Sequence, residues 1–110
     1  MKSKLLHQLE TACILQRDYP DKKAHVIAEW LLKLMRMAKR MEFLNLVHCN
    51  SGLSEYQETV QDKLTKRIEQ HCVEFGVGVE VQHDPRGCAV RLKLPSGAAN
   101  GFHCLWGLVV

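Results

Sequence analysis

The sequence contains no long uninterrupted apolar run. No stretch of its 110 residues approaches the ~18 consecutive apolar residues that a membrane-spanning helix requires. Charged residues interrupt the apolar positions of residues 1–10, which is unlike a secretory signal peptide. We therefore expect a cytoplasmic protein that makes no contact with a membrane.

The sequence also lacks the short motifs that mark catalysis or cofactor binding. It has no phosphate-binding glycine loop, no paired-carboxylate constellation and no Cys-x-x-Cys pair. Its five cysteines are an odd number in a chain for which no export is expected. Reduced, mostly buried thiols are therefore predicted, together with a protein that is not an enzyme and uses no cofactor.

The formal net charge is only +3, which permits an acidic partner but does not demand nucleic acid. It counts against a mimic of the DNA phosphate backbone, which would be strongly acidic. Hydrophobic residues make up 46% of the sequence and charged residues 25%, as in an ordinary globular domain. The length predicts one domain, residues 1–110, with a helical part at 1–76 and a β-meander at 77–110.

The clearest pattern is the alternation of apolar and polar residues in two runs, 77–82 and 88–94. Strict alternation predicts half-buried strands. Placing Val81 opposite Val90 puts apolar side chains on one shared face of an antiparallel pair. The same register adds three pairs: Val77 with Leu94, Val79 with Leu92, and Glu80 with Arg91.

Residues 84–87, DPRG, connect the two predicted strands. Pro85 and Gly87 favour a type I turn in which Gly87 takes a left-handed conformation. Arg86 would then project from the tip. Because exposed arginine is a frequent interface hot spot, we predict a partner-binding surface at this end of the hairpin. Its residues are Arg86, Arg91, Lys93 and Gln82.

Upstream of the hairpin, the apolar spacing predicts helices at about 2–16, 21–46 and 55–75. Residues 102–110 are expected to form a third strand. The predicted fold class is thus α+β, with two to three N-terminal helices packed on one face of a three-stranded antiparallel C-terminal sheet.

Local signals define the third helix. Ser54 and Gln57 have capping-box spacing, Gly76 is the expected C-terminal stop, and residues 48–52 are expected to form a loop before it. Its apolar residues are predicted to point inward: Tyr56, Val60, Leu64, Ile68, Cys72 and Phe75.

The second helix is apolar around most of its circumference, which predicts cover on more than one side. Trp30, Met37 and Leu44 are predicted to include residues at a subunit or partner interface, so a homodimer is possible. Its basic residues are interpreted as a solvated face: Arg36, Lys39 and Arg40.

Three adjacent His–Cys pairs occur, at 48–49, 71–72 and 103–104. Neighbouring residues point in different directions on a helix or strand, so such pairs rarely share one metal ion. We therefore predict no metal site. His83 opposite Cys88 is the single Cys–His pairing that the register generates, and a small thiol enzyme is the third-ranked hypothesis.

Residues 64–97, LTKRIEQHCVEFGVGVEVQHDPRGCAVRLKLPSG, resemble the C-terminal part of many small hypothetical proteins encoded by phages and prophages. There, an amphipathic basic helix leads into a strand, a DPRG turn and a strand of the type CAVRL. The resemblance implies a context, because small accessory phage proteins often bind and block a host protein. The leading hypothesis is therefore a non-enzymatic protein-binding module that inhibits a host defence protein such as a CRISPR or restriction nuclease, of the anti-CRISPR type.

A winged-helix-like DNA-binding protein is the alternative. A helix followed directly by a hairpin is the winged-helix order, with Lys63, Lys66 and Arg67 on the helix and Arg86 on the wing. Against it, the second helix is too long for a compact helix-turn-helix, and acidic residues dilute the basic face of the third. Nucleic acid is therefore possible but not favoured.

Overall fold

The computed structural model describes residues 4–83, 88–95, 99–103 and 108–109. Three helices come first: α1 (Lys4–Asp18), α2 (Ala24–Ser51) and α3 (Glu55–Phe75). Four strands follow: β1 (Gly78–Val81), β2 (Val90–Lys93), β3 (Ala99–His103) and β4 (Leu108–Val109). The fold is α+β and mostly helical. None of the helices in the described ranges is long and apolar enough to cross a membrane.

The sheet is an antiparallel meander with strand order β1-β2-β3-β4. The prediction of a three-stranded sheet is wrong. Of the segment 102–110, which is expected to form one strand, residues 102–103 belong to β3 and residues 108–109 to β4, and β3 begins three residues earlier, at Ala99. In β3, Gly101 pairs with Arg91 and Asn100 pairs with Leu92. Glycine and asparagine have poor strand propensity, but pairing in the sheet satisfies the hydrogen bonds of their backbone groups.

The predicted register of β1 and β2 is confirmed. Val81 lies opposite Val90, and Glu80 opposite Arg91. The backbone N–H of Gln82 donates to the Ala89 carbonyl at 2.9 Å, which extends the pairing by one step. The connecting turn, including Arg86 at its expected tip and the expected left-handed Gly87, lies outside the described residues.

The core is built around α2. Its buried apolar side chains are Ile27, Trp30, Leu31, Leu34, Met35, Ala38, Met41 and Leu44. The same cluster takes in Leu64, Ile68, Cys72 and Phe75 from α3, and Val90 and Leu92 from β2. One continuous core therefore joins the helices to the apolar face of the sheet, as the alternation in β2 predicts.

Trp30 is a member of this core, although the sequence favours it as an interface residue. Its indole Nε1 donates to the His71 carbonyl at 2.9 Å, and His71 Nε2 donates to the Trp30 carbonyl at 2.9 Å. The indole also stacks on Phe75, with ring centroids 4.2 Å apart. Trp30 and Leu44 are each only 8% exposed within one chain, while Met37 is half-buried. Trp30 and Leu44 therefore have little surface left for a second subunit.

Both ends of α3 follow the predicted local chemistry. The Ser54 side chain accepts from the Gln57 backbone N–H at 3.2 Å, and the Gln57 side chain accepts from the Ser54 backbone N–H at 3.0 Å. Gly76 has φ 96° and ψ 23°, and its N–H donates to the Cys72 carbonyl at 2.9 Å. The capping box and the glycine stop are confirmed.

The predicted end of α2 is wrong. The helix continues through residues 48–51, which were expected to form a loop, and ends at Ser51. The Ser51 hydroxyl donates to the Val47 carbonyl at 3.3 Å, and the N–H of Gly52 donates to the His48 carbonyl at 3.1 Å. Polar residues in an exposed last turn thus extend the helix until Gly52, whose φ is 76°, redirects the chain.

Candidate interaction groove

A groove runs along the junction of α2 and α3. The two helices are joined by only three residues, which makes them antiparallel neighbours in contact with each other. Two adjoining cavities of about 420 Å³ and about 210 Å³ lie along this junction. They share Arg40, Tyr56 and Val60 as lining residues, so they form one continuous depression.

Helical spacing brings the lining residues onto one face of each helix. From α2 they are Lys39, Arg40, Phe43 and Leu44. From α3 they are Tyr56, Gln57, Thr59, Val60, Lys63, Leu64 and Arg67. Leu44 and Leu64 are also members of the hydrophobic core, so the floor of the groove is anchored to the rigid centre of the fold.

Two large side chains in the groove are exposed. Phe43 is 57% exposed and Tyr56 is 77% exposed. The prediction that Tyr56 points inward is wrong: burial increases along α3 from exposed Tyr56 through half-buried Val60 to buried Leu64. Tyr56 keeps the helical periodicity of the buried residues, but it lies in the first turn, where the fold covers it least. Adjacent exposed apolar side chains are typical of an interaction surface.

Basic side chains surround these apolar groups. Lys39, Arg40, Lys63 and Arg67 all line the groove, and no acidic residue lines it within the part of the chain that the structure describes. None of the four cations forms an ion pair with a described side chain. The groove therefore combines an apolar floor with unneutralised positive charge.

The two acidic residues between Tyr56 and Arg67 lie on the other side of α3. At about 100° per residue, Glu58 and Asp62 point roughly opposite to the stripe that runs from Tyr56 to Arg67. Both carboxylates are exposed. Along this length of α3, Lys63 and Arg67 thus lie on the groove side, and the two carboxylates lie on the opposite side.

The described members of the predicted hairpin surface are partly engaged within the chain. Gln82 Nε2 donates to Glu80 Oε1 at 2.8 Å. The half-buried Arg91 hydrogen-bonds the Cys88 side chain, while Lys93 is exposed. Arg86, the centre of that predicted surface, lies outside the described residues. Among the described residues of the predicted hairpin surface, Lys93 is the exposed cation. Partner binding by the hairpin stays a prediction.

Two of the described thiols, Cys72 and Cys88, are buried and are poorly suited to nucleophilic chemistry. Burial raises the pKa of Cys72 to about 12. Burial also raises the pKa of Cys88, outweighing the opposing effect of its hydrogen bond with Arg91. His83 is exposed, and its Nε2 lies 3.4 Å from the Thr65 hydroxyl. A thiol kept protonated at neutral pH is a weak nucleophile, so the Cys88–His83 pair gains no support as a catalytic pair.

The His–Cys pairs do not converge among the residues that the structure describes. Over residues 4–83, 88–95, 99–103 and 108–109, no three His, Cys, Asp or Glu side chains lie close enough together to hold a metal ion. His71 bonds to Trp30, whereas His48 and Cys49 are exposed near the end of α2. Cys104 lies outside the described residues.

Comparison with protein-family models, with curated proteins and with solved structures gives no match. The resemblance of residues 64–97 to phage-encoded proteins stays a prediction.

Proposed function

We propose that this protein is a non-enzymatic binding module whose groove between α2 and α3 engages a partner protein. The observation that carries the proposal is the combination of exposed Phe43 and Tyr56 with four unneutralised cations on a core-anchored floor. Apolar and aromatic anchors within a polar rim are characteristic of protein interfaces.

The proposed partner is a host protein, such as a CRISPR or restriction nuclease, and the proposed effect is inhibition. This part of the proposal rests on the resemblance of residues 64–97 to small phage and prophage proteins. A small protein can block a nuclease by binding a surface that the nuclease needs for its activity, and a basic groove suits an acidic patch outside the basic channel that holds the nucleic acid.

The proposal is tested by capture followed by reconstitution. The immobilised chain is incubated with a bacterial lysate, and each captured protein is then purified and titrated against the free chain by calorimetry. We expect a saturable complex that is lost in the double variant F43S/Y56S and kept in V73S. Val73 is a matched control, because it is an exposed apolar residue of α3 outside the groove. A complex that survives F43S/Y56S would overturn the assignment of the groove.

Inhibition is tested separately. The chain is added to a purified restriction endonuclease or CRISPR effector obtained by capture, and DNA cleavage is measured with the wild type, F43S/Y56S and V73S. Inhibition through the groove is supported if the wild type and V73S abolish DNA cleavage whereas F43S/Y56S leaves it unchanged. Unchanged cleavage in a saturated complex would show that the partner is bound without being blocked.

A winged-helix-like DNA-binding function is the second candidate. Lys63, Lys66 and Arg67 are exposed on α3, and the β1–β2 hairpin follows that helix directly. Binding to duplex DNA that weakens steeply with salt and is lost in K63A/K66A/R67A would support this function. The exposed carboxylates of α3 disfavour it, since they would repel phosphates along the same helix.

A further inference from the structure

We infer that the groove binds an acidic amphipathic α-helix of the partner protein, which completes a local three-helix arrangement with α2 and α3. This inference rests on the proposed function, because it names the chemistry of the segment that the same groove receives. The shape of the groove, its charge and the position of its apolar groups all suit such a helix.

The shape suits a helix. The groove lies between two antiparallel neighbouring helices, and a third helix fits into such a depression by placing its side chains between theirs. From Tyr56 to Arg67 the lining extends over roughly 16 Å of helix axis, about three turns at 1.5 Å per residue. A segment of about 10–12 residues therefore fills it.

The apolar groups of the groove lie where such a helix would insert its anchors. Leu44, Val60 and Leu64 form the floor, and Phe43 and Tyr56 lie exposed at one end. A partner helix with apolar residues at i, i+4, i+7 and i+11 presents one stripe of anchors along this floor. Burial of the two exposed rings would provide much of the apolar area.

The charge of the groove selects an acidic helix. Lys39 and Arg40 lie on the α2 side of the floor, and Lys63 and Arg67 lie on the α3 side. A helix in the groove would therefore have cations along both of its flanks. Glutamate or aspartate beside the apolar stripe would pair with them, whereas lysine or arginine there would be repelled.

The same arrangement disfavours a nucleic-acid strand as the occupant. A strand tracks a continuous basic surface, and its phosphates extend beyond a groove of three turns. On α3 the surface outside the groove carries the exposed carboxylates Glu58 and Asp62. A short helix confined to the groove meets the cations and avoids these carboxylates.

The test uses a synthetic peptide of about 15 residues, blocked at both ends. It carries leucine at i, i+4, i+7 and i+11, with glutamate and alanine at the other positions. One control peptide has the same composition in an order that places the leucines around the helix. A second control replaces every glutamate with lysine. The full chain is titrated with each peptide by calorimetry, and helix formation is followed by circular dichroism.

We expect the first peptide to bind with a dissociation constant of about 1–100 µM and to gain helicity on binding, whereas both controls bind at least ~10-fold more weakly. Y56A and R40A should each weaken binding about fivefold or more. Their matched controls, L32A and K33A, should leave binding unchanged, because these residues are exposed on α2 outside the groove. Weaker binding at higher salt is also expected, since the cations are exposed.

Several outcomes would overturn the inference. They are an absence of binding, equal binding of the scrambled peptide, binding without a gain of helicity, and tighter binding of a single-stranded oligonucleotide of thymidines. Failure here is distinguishable from failure of the proposed function. If a captured partner requires Phe43 and Tyr56 but the acidic peptide does not bind, the groove remains the site and the helical occupant is wrong. If the partner does not require the two rings, the proposed function itself fails.

Discussion

Asn45 joins the helical part of the chain directly to the hairpin. Its Nδ2 donates to the main-chain oxygen of Gln82 at 2.9 Å, while its Oδ1 accepts from Gln61 Nε2 at 3.1 Å. Asn45 and Gln61 are both buried. One amide side chain on α2 thus connects α3 to the end of β1, and the groove and the sheet are parts of one hydrogen-bonded unit.

Removal of this amide should destabilise the fold. N45A leaves both Gln61 and the Gln82 carbonyl without their buried partner, so we expect the free energy of unfolding to fall by about 2–3 kcal/mol. Urea unfolding monitored by circular dichroism measures the change. N50A is a matched control, an exposed asparagine in the same helix, and should change stability by under ~0.5 kcal/mol. Equal effects of the two variants would show that the network contributes nothing.

Trp30 should affect stability and not assembly. W30F removes the indole N–H that bonds to the His71 carbonyl and leaves a smaller ring against Phe75. We expect a loss of about 1–3 kcal/mol in unfolding free energy, because the carbonyl loses its buried donor. Size-exclusion chromatography with light scattering should give the same molar mass for W30F and the wild type. A change of molar mass would restore Trp30 as an interface residue.

Cys72 should make stability depend on pH above neutrality. Burial raises the pKa of its thiol from 9.0 to about 12, so between these values the unfolded chain has released a proton that the folded chain retains. The unfolded state then binds fewer protons, and the free energy of unfolding decreases as pH rises through this window. Below pH 9 the contribution is fully present.

Urea unfolding at several pH values tests this dependence. C72A should show a shallower decline than the wild type, although the raised pKa of Cys88 leaves part of it in place. C13A provides the control, because Cys13 is exposed and should leave the decline unchanged. An identical decline in C72A would contradict the assignment to Cys72.

Sequence patterns correctly predict those parts of the fold that are determined by residues close together in the chain. The alternation in residues 77–82 and 88–94 fixed the register, because a slip of one residue would turn Val90 away from the core. Ser54 with Gln57, and Gly76, marked the ends of α3 for a similar reason: each makes its bonds within a few residues. Such signals can be read from the sequence because the interacting residues are close to each other along the chain.

The groove could not be found in this way. Tyr56 has the same periodicity as the buried Leu64, and only the packing of α2 decides that one is exposed and the other is not. The sequence of α2 alone favours a solvated face for Lys39 and Arg40, because one helix does not show which cations of a second helix lie across from its own. The combination of Phe43 with Tyr56 depends on the antiparallel arrangement of α2 and α3, which no local pattern encodes.

The last prediction separates the groove from the hairpin. Arg86 and Lys93 are predicted to contact a partner protein, but Lys93 does not line the groove. The acidic peptide should therefore bind R86A and K93A as tightly as the wild type. A whole partner protein that covers the hairpin as well should lose ~1–3 kcal/mol of binding free energy with R86A, as an arginine hot spot does.

Stability measurements complete that comparison. R86A should change the melting temperature little if Arg86 lies at the predicted turn tip, because a surface substitution away from caps and core costs under ~0.5 kcal/mol. G87V should lower it, since a β-branched residue is strained where the predicted turn requires a left-handed conformation. Unchanged partner affinity in R86A, together with a lower melting temperature in G87V, would leave the DPRG turn a structural feature. The groove would then carry all of the binding.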